Sequence, residues 1–171
     1  MYIELLTVND KMARSFVCGD KVNNGAFVTV DGLATLSRYE GVSLTGETYK
    51  VKKLVDAEGE LFGIVAPDGH RHDERLMSGD IPEVDANKVV RGYFLSKGDV
   101  IRVEVGLVDG AVAVGDKLAP KADSFLLKKA VDKTYAVSGA TATVAGSMNI
   151  LGKVLAKEKY MGKDTIVILF V

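Results

Sequence analysis

The sequence predicts an all-β fold made of two related β-barrel or sandwich-like units, and three observations lead there. A set of motifs occurs twice in the same order, the stretches between turn signals are rich in β-branched residues, and helical periodicity is confined to one short stretch. Gly19-Asp20-Lys21-Val22 precedes Leu61-Phe62-Gly63-Ile64-Val65-Ala66, then Gly98-Asp99-Val100-Ile101-Arg102-Val103. Gly115-Asp116-Lys117-Leu118 precedes Ile150-Leu151-Gly152-Lys153-Val154, then Lys163-Asp164-Thr165-Ile166-Val167-Ile168. Each copy reads as a Gly-Asp turn, a strand with a central glycine, and a turn feeding a β-branched strand. An internal duplication of a β unit follows as the expectation.

Taken in order, residues 1–18 read as an apolar N-terminal arm and a first strand. Phe27-Val28-Thr29-Val30 is a strand that Asp31-Gly32 is expected to close with a turn. Tyr49 to Val55 is the next, ended by Asp56-Ala57-Glu58-Gly59. In Val100 to Val105, alternation places Ile101, Val103 and Val105 on one face and Arg102 and Glu104 on the other. Asp109-Gly110 then turns the chain into a strand at Ala111-Val112-Ala113-Val114. Thr165 to Val171 is almost wholly apolar and belongs in the middle of a sheet or under cover on both faces. The one helical candidate is a short turn across Asp73 to Met77, stopped by Ser78-Gly79. Residues 19–105 thus form a first β unit and 106–171 a second, with a seam from Val105 to Ala111.

The first copy is modestly longer from turn to strand glycine, Gly19 to Gly63 against Gly115 to Gly152, and differs most in one further place. From the strand glycine to the closing Asp, the first runs Gly63 to Asp99 and the second only Gly152 to Asp164. The excess in the first copy falls at about Pro67 to Val90. Insertions of this kind sit on surface loops, where specific contacts concentrate.

Composition bounds the function. The 171 residues are 47% hydrophobic and 26% charged, enough for a sizeable core in a soluble chain. The net charge of −1 lacks the basic footprint of a nucleic-acid binder. No stretch approaches the roughly 18 apolar residues of a membrane span, and the start lacks a signal peptide's basic region and apolar run. Synthesis in the cytoplasm is expected, with no partner among membranes. The single cysteine, Cys18, has no intramolecular partner and reads as a small core residue.

Catalytic patterns are weighed against simpler readings. His70-Arg71-His72-Asp73-Glu74 holds both histidines of the chain. In an extended segment His70 and His72 point the same way, as two metal ligands would, with Asp68, Asp73 or Glu74 to complete a site. A solvated loop after Pro67-Asp68-Gly69 accounts for the same residues. No catalytic residue, metal ligand or cofactor is assigned; a metal-dependent hydrolase using His70 and His72 stands as the least favoured alternative. The glycines at Gly106 to Gly110 and Gly139 to Thr143 lack the following helix and lysine of a phosphate loop. Lys128-Lys129, beside Leu126-Leu127, reads as the exposed end of a strand.

The terminus is more informative. Tyr2, Ile3, Leu5, Leu6 and Val8 are apolar where chain ends are ordinarily polar. Either the segment docks on its own barrel, or it adds to a neighbouring subunit as a strand or anchor.

Ala113 to Leu118, Phe125 to Ala130, Met148 to Val154 and Asp164 to Phe170 together resemble the β-barrel module of tailed-bacteriophage capsid decoration proteins. The resemblance covers the second repeat well and the first less well; the arm and the insertion lie outside it. It implies a non-enzymatic virion protein that oligomerises, often as trimers. Such a protein binds the major capsid protein on the outer shell surface and stabilises the head. Tyr2, Ile3, Leu5 and Leu6 of the arm and His70, Arg71 and His72 of the insertion are the contact residues expected, toward capsid or neighbouring subunit. A similar pattern occurs in modules of phage tail fibres, so an appendage that meets a host surface is the alternative.

Overall fold

The structure is a computed structural model that describes residues 3–7, 13–39, 42–57, 59–66, 83–138, 141–147, 149–160 and 162–171. The expected turn at Asp73 to Met77 lies outside them. The fold is all-β. Its strands are β1 (Ile3–Thr7), β2 (Arg14–Cys18), β3 (Phe27–Tyr39), β4 (Val42–Lys52), β5 (Phe62–Val65), β6 (Val89–Phe94) and β7 (Val100–Glu104). They continue with β8 (Val108–Asp109), β9 (Lys117–Pro120), β10 (Leu127–Lys129), β11 (Thr134–Ser138), β12 (Thr141–Ala145), β13 (Gly152–Tyr160) and β14 (Lys163–Phe170). A 3-10 turn spans Val105–Leu107.

Five strands close a barrel in the order β2-β4-β3-β5-β6, and seven form a sheet in the order β1-β7-β14-β13-β9-β10-β8. The β2–β4 pair is parallel, with Phe16 opposite Tyr49 and Cys18 opposite Val51. β11 and β12 make a separate two-stranded ribbon.

Barrel and sheet are packed as one body. β5 is buried along its whole length and serves as their common wall. Ile64 and Phe62 join the larger core, with Ile101, Val103, Leu118, Ile166, Ile168 and Phe170 of the sheet. Val65 joins Phe16, Cys18, Val28, Val51 and Val90 in the smaller core inside the barrel. Each large apolar side chain buried in this way contributes on the order of 1.5–3 kcal/mol. Backbone bonds stitch the joint: Phe27 N–H donates to the Phe125 carbonyl at 3.0 Å and Leu54 N–H to that of Ser124 at 2.8 Å. Asn149 N–H donates to Asp56 Oδ1 at 2.9 Å across the same joint.

The alternation in β7 holds: Ile101 and Val103 are fully buried, while Arg102 and Glu104 are only partly covered. β14 lies between β7 and β13, with Thr165 to Ile168 buried in succession. Two local expectations fail. Asp31-Gly32 does not end a strand; β3 runs through it with a register shift between Val30 and Gly32, taken up by a φ of +136° at the glycine. Ala111 to Val114 is not a strand, because Ala113 N–H is given to the Asp116 side chain instead of to a neighbouring strand.

The repeated motifs do not become a repeated fold. The closing strands β7 and β14 pair antiparallel, with Ile101 opposite Ile168, Arg102 opposite Val167 and Val103 opposite Ile166. This register is symmetric about Arg102 and Val167, which the sequence alignment makes equivalent. The symmetry stops there: β13 lies beside β14, whereas β5 lies in the barrel and not beside β7. An internal duplication is not shown by this arrangement. What recurs is a local unit at Gly98-Asp99 and Gly115-Asp116. In each, a glycine at φ +93° or +92° precedes an Asp whose carboxylate accepts an N–H three residues back. Each turn is also clipped to a strand: Gly98 N–H and the Asp99 carbonyl bond Phe170, and Gly115 N–H and the Asp116 carbonyl bond Val154.

Candidate functional site

The apolar terminus folds as a strand on this chain's own seven-stranded sheet, not on the barrel. β1 pairs antiparallel with β7, Ile3 opposite Val103, Glu4 opposite Arg102 and Leu5 opposite Ile101; the register then shifts, and Thr7 faces Val100. Ile3, Leu5 and Leu6 therefore share one short edge strand. β1 is the last strand of its sheet, so no described strand pairs beyond it. Tyr2, His70, Arg71 and His72 lie outside the described residues.

The described end of the insertion, residues 83–90, joins the barrel. Ala66 N–H donates to Arg91 at 3.0 Å, and Val84 exchanges two backbone bonds with Val22. Its last expected residues, Val89 and Val90, are strand residues of β6, with Val90 buried and Val89 half exposed. Of the two segments expected to make contacts, the described residues Ile3 to Thr7 lie at the sheet edge and the described residues 83–90 lie at the barrel.

Two ribbons add to this surface, and both escaped the sequence reading. Beyond the barrel, β3 and β4 pair only with each other, Thr35 with Thr45, Leu36 with Leu44 and Tyr39 with Val42. Leu33, where this extension begins, is 58% exposed. β11 and β12 pair Tyr135 with Val144 and Val137 with Ala142. The alternation of Thr134 to Ser138 was the sequence signal for the second ribbon. For the first, the Asp-Gly pair hid the continuity of the strand.

The polar face of the sheet is organised by ion pairs. Arg102 Nε donates to Glu158 Oε1 at 2.7 Å, and its guanidinium lies 4.4 Å from the centre of the Tyr160 ring. Lys163 lies 3.6 Å from Glu104. Beside them is an open depression of about 480 Å³ lined by Val105, Lys157, Glu158, Lys159, Asp164 and Thr165. Lys157 Nζ is spent on the Val112 carbonyl at 2.9 Å. A narrower cavity of about 170 Å³ lies at the joint of barrel and sheet, between Lys21, Asn23, Ala26, Leu107 and Ser124 to Leu126. It is smaller than the usual range for a small-molecule pocket.

Cys18 is 2% exposed on β2. Burial pushes its thiol above the ordinary value; an Asp20 backbone bond and the Lys53 charge oppose this more weakly, while the Asp20 charge adds to it. A protonated, enclosed thiol is a packing group, not a nucleophile. No group of three or more His, Cys, Asp or Glu residues placed to hold a metal occurs among the described residues.

No known protein family matches the chain. Neither the curated proteins nor the solved structures give a match.

Proposed function

We propose that this chain is a non-enzymatic structural protein of a virion, which binds the outer capsid surface and stabilises the head. The observation that carries the reading is the placement of contact-capable backbone on one packed scaffold. An edge strand and two ribbons stand outside the shared core. Two-stranded ribbons are marginal alone in water and gain by packing against a partner. Strand edges bind other chains through backbone bonds without any cleft. The motifs behind the resemblance to decoration proteins support the same reading, because their glycines and aspartates serve the scaffold. Weak contacts suffice for such a role, since many copies on a fixed lattice gain effective concentration.

The partner is then the major capsid protein, together with further copies of this chain, and the site of action is the virion surface. Co-sedimentation with expanded capsids of the virus that encodes the chain, followed by electron-microscopic localisation, tests this. Saturable binding and particles that withstand heat better are the expected result. Indifference to capsids, with particle stability unchanged when the chain is deleted, overturns it. Binding to host cells and not to capsids would instead assign the chain to a tail appendage.

A further inference from the structure

A straight rung of residues crosses four strands in the middle of the seven-stranded sheet. Val100 of β7 is opposite Leu169 of β14, Leu169 is opposite Lys153 of β13, and Lys153 is opposite Lys117 of β9. The residues beside them, Ile101, Ile168, Val154 and Leu118, are fully buried in the larger core. Alternation therefore turns the rung to the other face of the sheet. Both lysines are exposed there, while Val100 and Leu169 are half-buried. Like charges directly opposite in an antiparallel pair are destabilising. Neither lysine has an ion pair among the described residues, although other lysines of the sheet do. Lys129 holds Asp116, the residue next to Lys117, at 2.8 Å, and the same carboxylate accepts the Ala113 N–H. Lys121 holds Asp109 at 3.0 Å, and Lys163 lies 3.6 Å from Glu104. These carboxylates are engaged elsewhere, and two ammonium groups are left side by side.

We propose that this rung docks an acidic segment of the capsid protein, with one carboxylate between Lys117 and Lys153 and an apolar side chain over Leu169 and Val100. The inference rests on the reading of the chain as a capsid-binding protein and adds the chemistry of the partner. Half of the rung is apolar and the net charge of the chain is −1. A protein segment fits such a face; a nucleic acid, which calls for a broad basic surface, does not. Spacing narrows the choice. Strands lie about 4.8 Å apart, so the midpoint of the lysine pair is about 7 Å from Leu169. An extended segment repeats its side chains on one side at about that same distance. A segment that crosses the strands with an Asp or Glu two residues from an apolar residue therefore matches both halves of the rung. Exposed charges of this kind act mainly by speeding encounter and fixing register.

Binding of the full chain to immobilised expanded capsids, at several salt concentrations, tests this. The double variant Lys117→Gln, Lys153→Gln should bind about tenfold more weakly, chiefly through slower association, and should respond less to salt. The double variant Lys117→Arg, Lys153→Arg keeps both charges and should bind like the unaltered chain. The urea midpoint of the free Gln variant should stay level or rise, because a repulsive pair has been removed. Lys159→Gln, an exposed lysine of β13 away from the rung, controls for general charge and should leave affinity unchanged. Unaltered affinity in the Gln variant, a loss matched by Lys159→Gln, or a drop in the urea midpoint that accounts for the loss would overturn the proposal and leave the virion role standing. DNA binding that the Gln variant loses would assign the rung to a polyanion, and self-association that it loses would assign it to a second copy; either overturns the proposal. Failure of the unaltered chain to bind capsids at all would overturn both readings together.

Discussion

The Phe16 ring lies over the α-carbon of Gly92 so closely that a methyl group there would fall 2.2 Å from Cδ2 and 2.3 Å from Cε2. Gly63, on the next strand, is nearly as close, with a built Cβ 2.9 Å from Cε2 of the same ring. Phe16 is fully buried and contacts the rings of Tyr49 and Phe94, so it has nowhere to go. Gly92→Ala is expected to destabilise the fold by about 1–3 kcal/mol through overpacking. Phe16→Leu should relieve much of that cost, so the double variant should be more stable than the two single losses predict when added. Urea unfolding of the four proteins measures the coupling; strict additivity would show that the ring and the glycine do not constrain each other.

The two Gly-Asp turns share a geometry but differ in burial, which separates their energetics. Asp99 is 1% exposed, and its Oδ2 accepts Ser96 N–H at 2.7 Å. In Asp99→Ala the part-buried bond is lost and the buried carboxylate site is left empty, at a cost of about 1–3 kcal/mol. Asp116 makes the equivalent bond to Ala113 at 2.8 Å on an exposed turn, where water can replace it. Asp116→Ala should therefore be clearly the milder change. Equal losses in urea unfolding would mean that burial does not set the value of this turn.

Part of the fold was legible because its causes are local. Alternation in Ile101-Arg102-Val103 and the apolar run of Thr165 to Val171 place residues by a two-residue period, which needs no knowledge of the partner strand. The strand glycines Gly63 and Gly152 were visible as motifs, and both sit where a Cβ would collide, Gly152 at 2.6 Å from Ile168 Cγ2. Barrel closure was not legible, since the parallel pairing of Phe16 with Tyr49 depends on chain far away in sequence. Nor was the union of β7 with β14, which places the end of one motif set beside the end of the other. At the candidate site, apolar composition marked the Ile3 to Leu6 segment for attention. Only the register with β7 assigns it to the sheet edge.

Acid should weaken the fold through two surface carboxylates. The Lys129 ammonium, 2.8 Å from Asp116, holds that carboxyl below its ordinary value, helped by the Ala113 N–H. Lys52, 2.6 Å from Asp31, does the same there, with Lys50 adding to it. A carboxylate with a depressed folded-state value binds fewer protons in the folded chain than in the unfolded one. Its contribution is complete above the unfolded value of about 4 and is lost as pH falls through the lower folded value. The thermal midpoint should drop over that acidic interval, less steeply in Lys129→Ala. Carboxyl NMR should show Asp116 titrating closer to the ordinary value in Lys129→Ala; no change between the two proteins would refute the pairing.

At the base of the β11–β12 ribbon, one small side chain clips the chain to itself. Ser147, 3% exposed, accepts Val131 N–H on its Oγ at 3.0 Å and donates its own N–H to the Val131 carbonyl at 3.0 Å. Gly146 turns beside it with φ +132°, and a Cβ there would lie 2.8 Å from the Asp132 carbonyl oxygen. Removing the hydroxyl leaves Val131 N–H without its acceptor while the backbone half of the clip remains. A net loss of about 1 kcal/mol is expected at the ribbon's base, and a two-stranded ribbon is only marginally stable by itself. Ser147→Ala should therefore speed amide exchange in Thr134–Ser138 and Thr141–Ala145 by several-fold, with β14 unchanged. If exchange rose equally in β14, the serine would be supporting the whole fold; if it rose nowhere, the ribbon would owe its placement to other contacts. Should the ribbon bind a capsid as proposed, adding expanded shells should restore the lost protection in the variant.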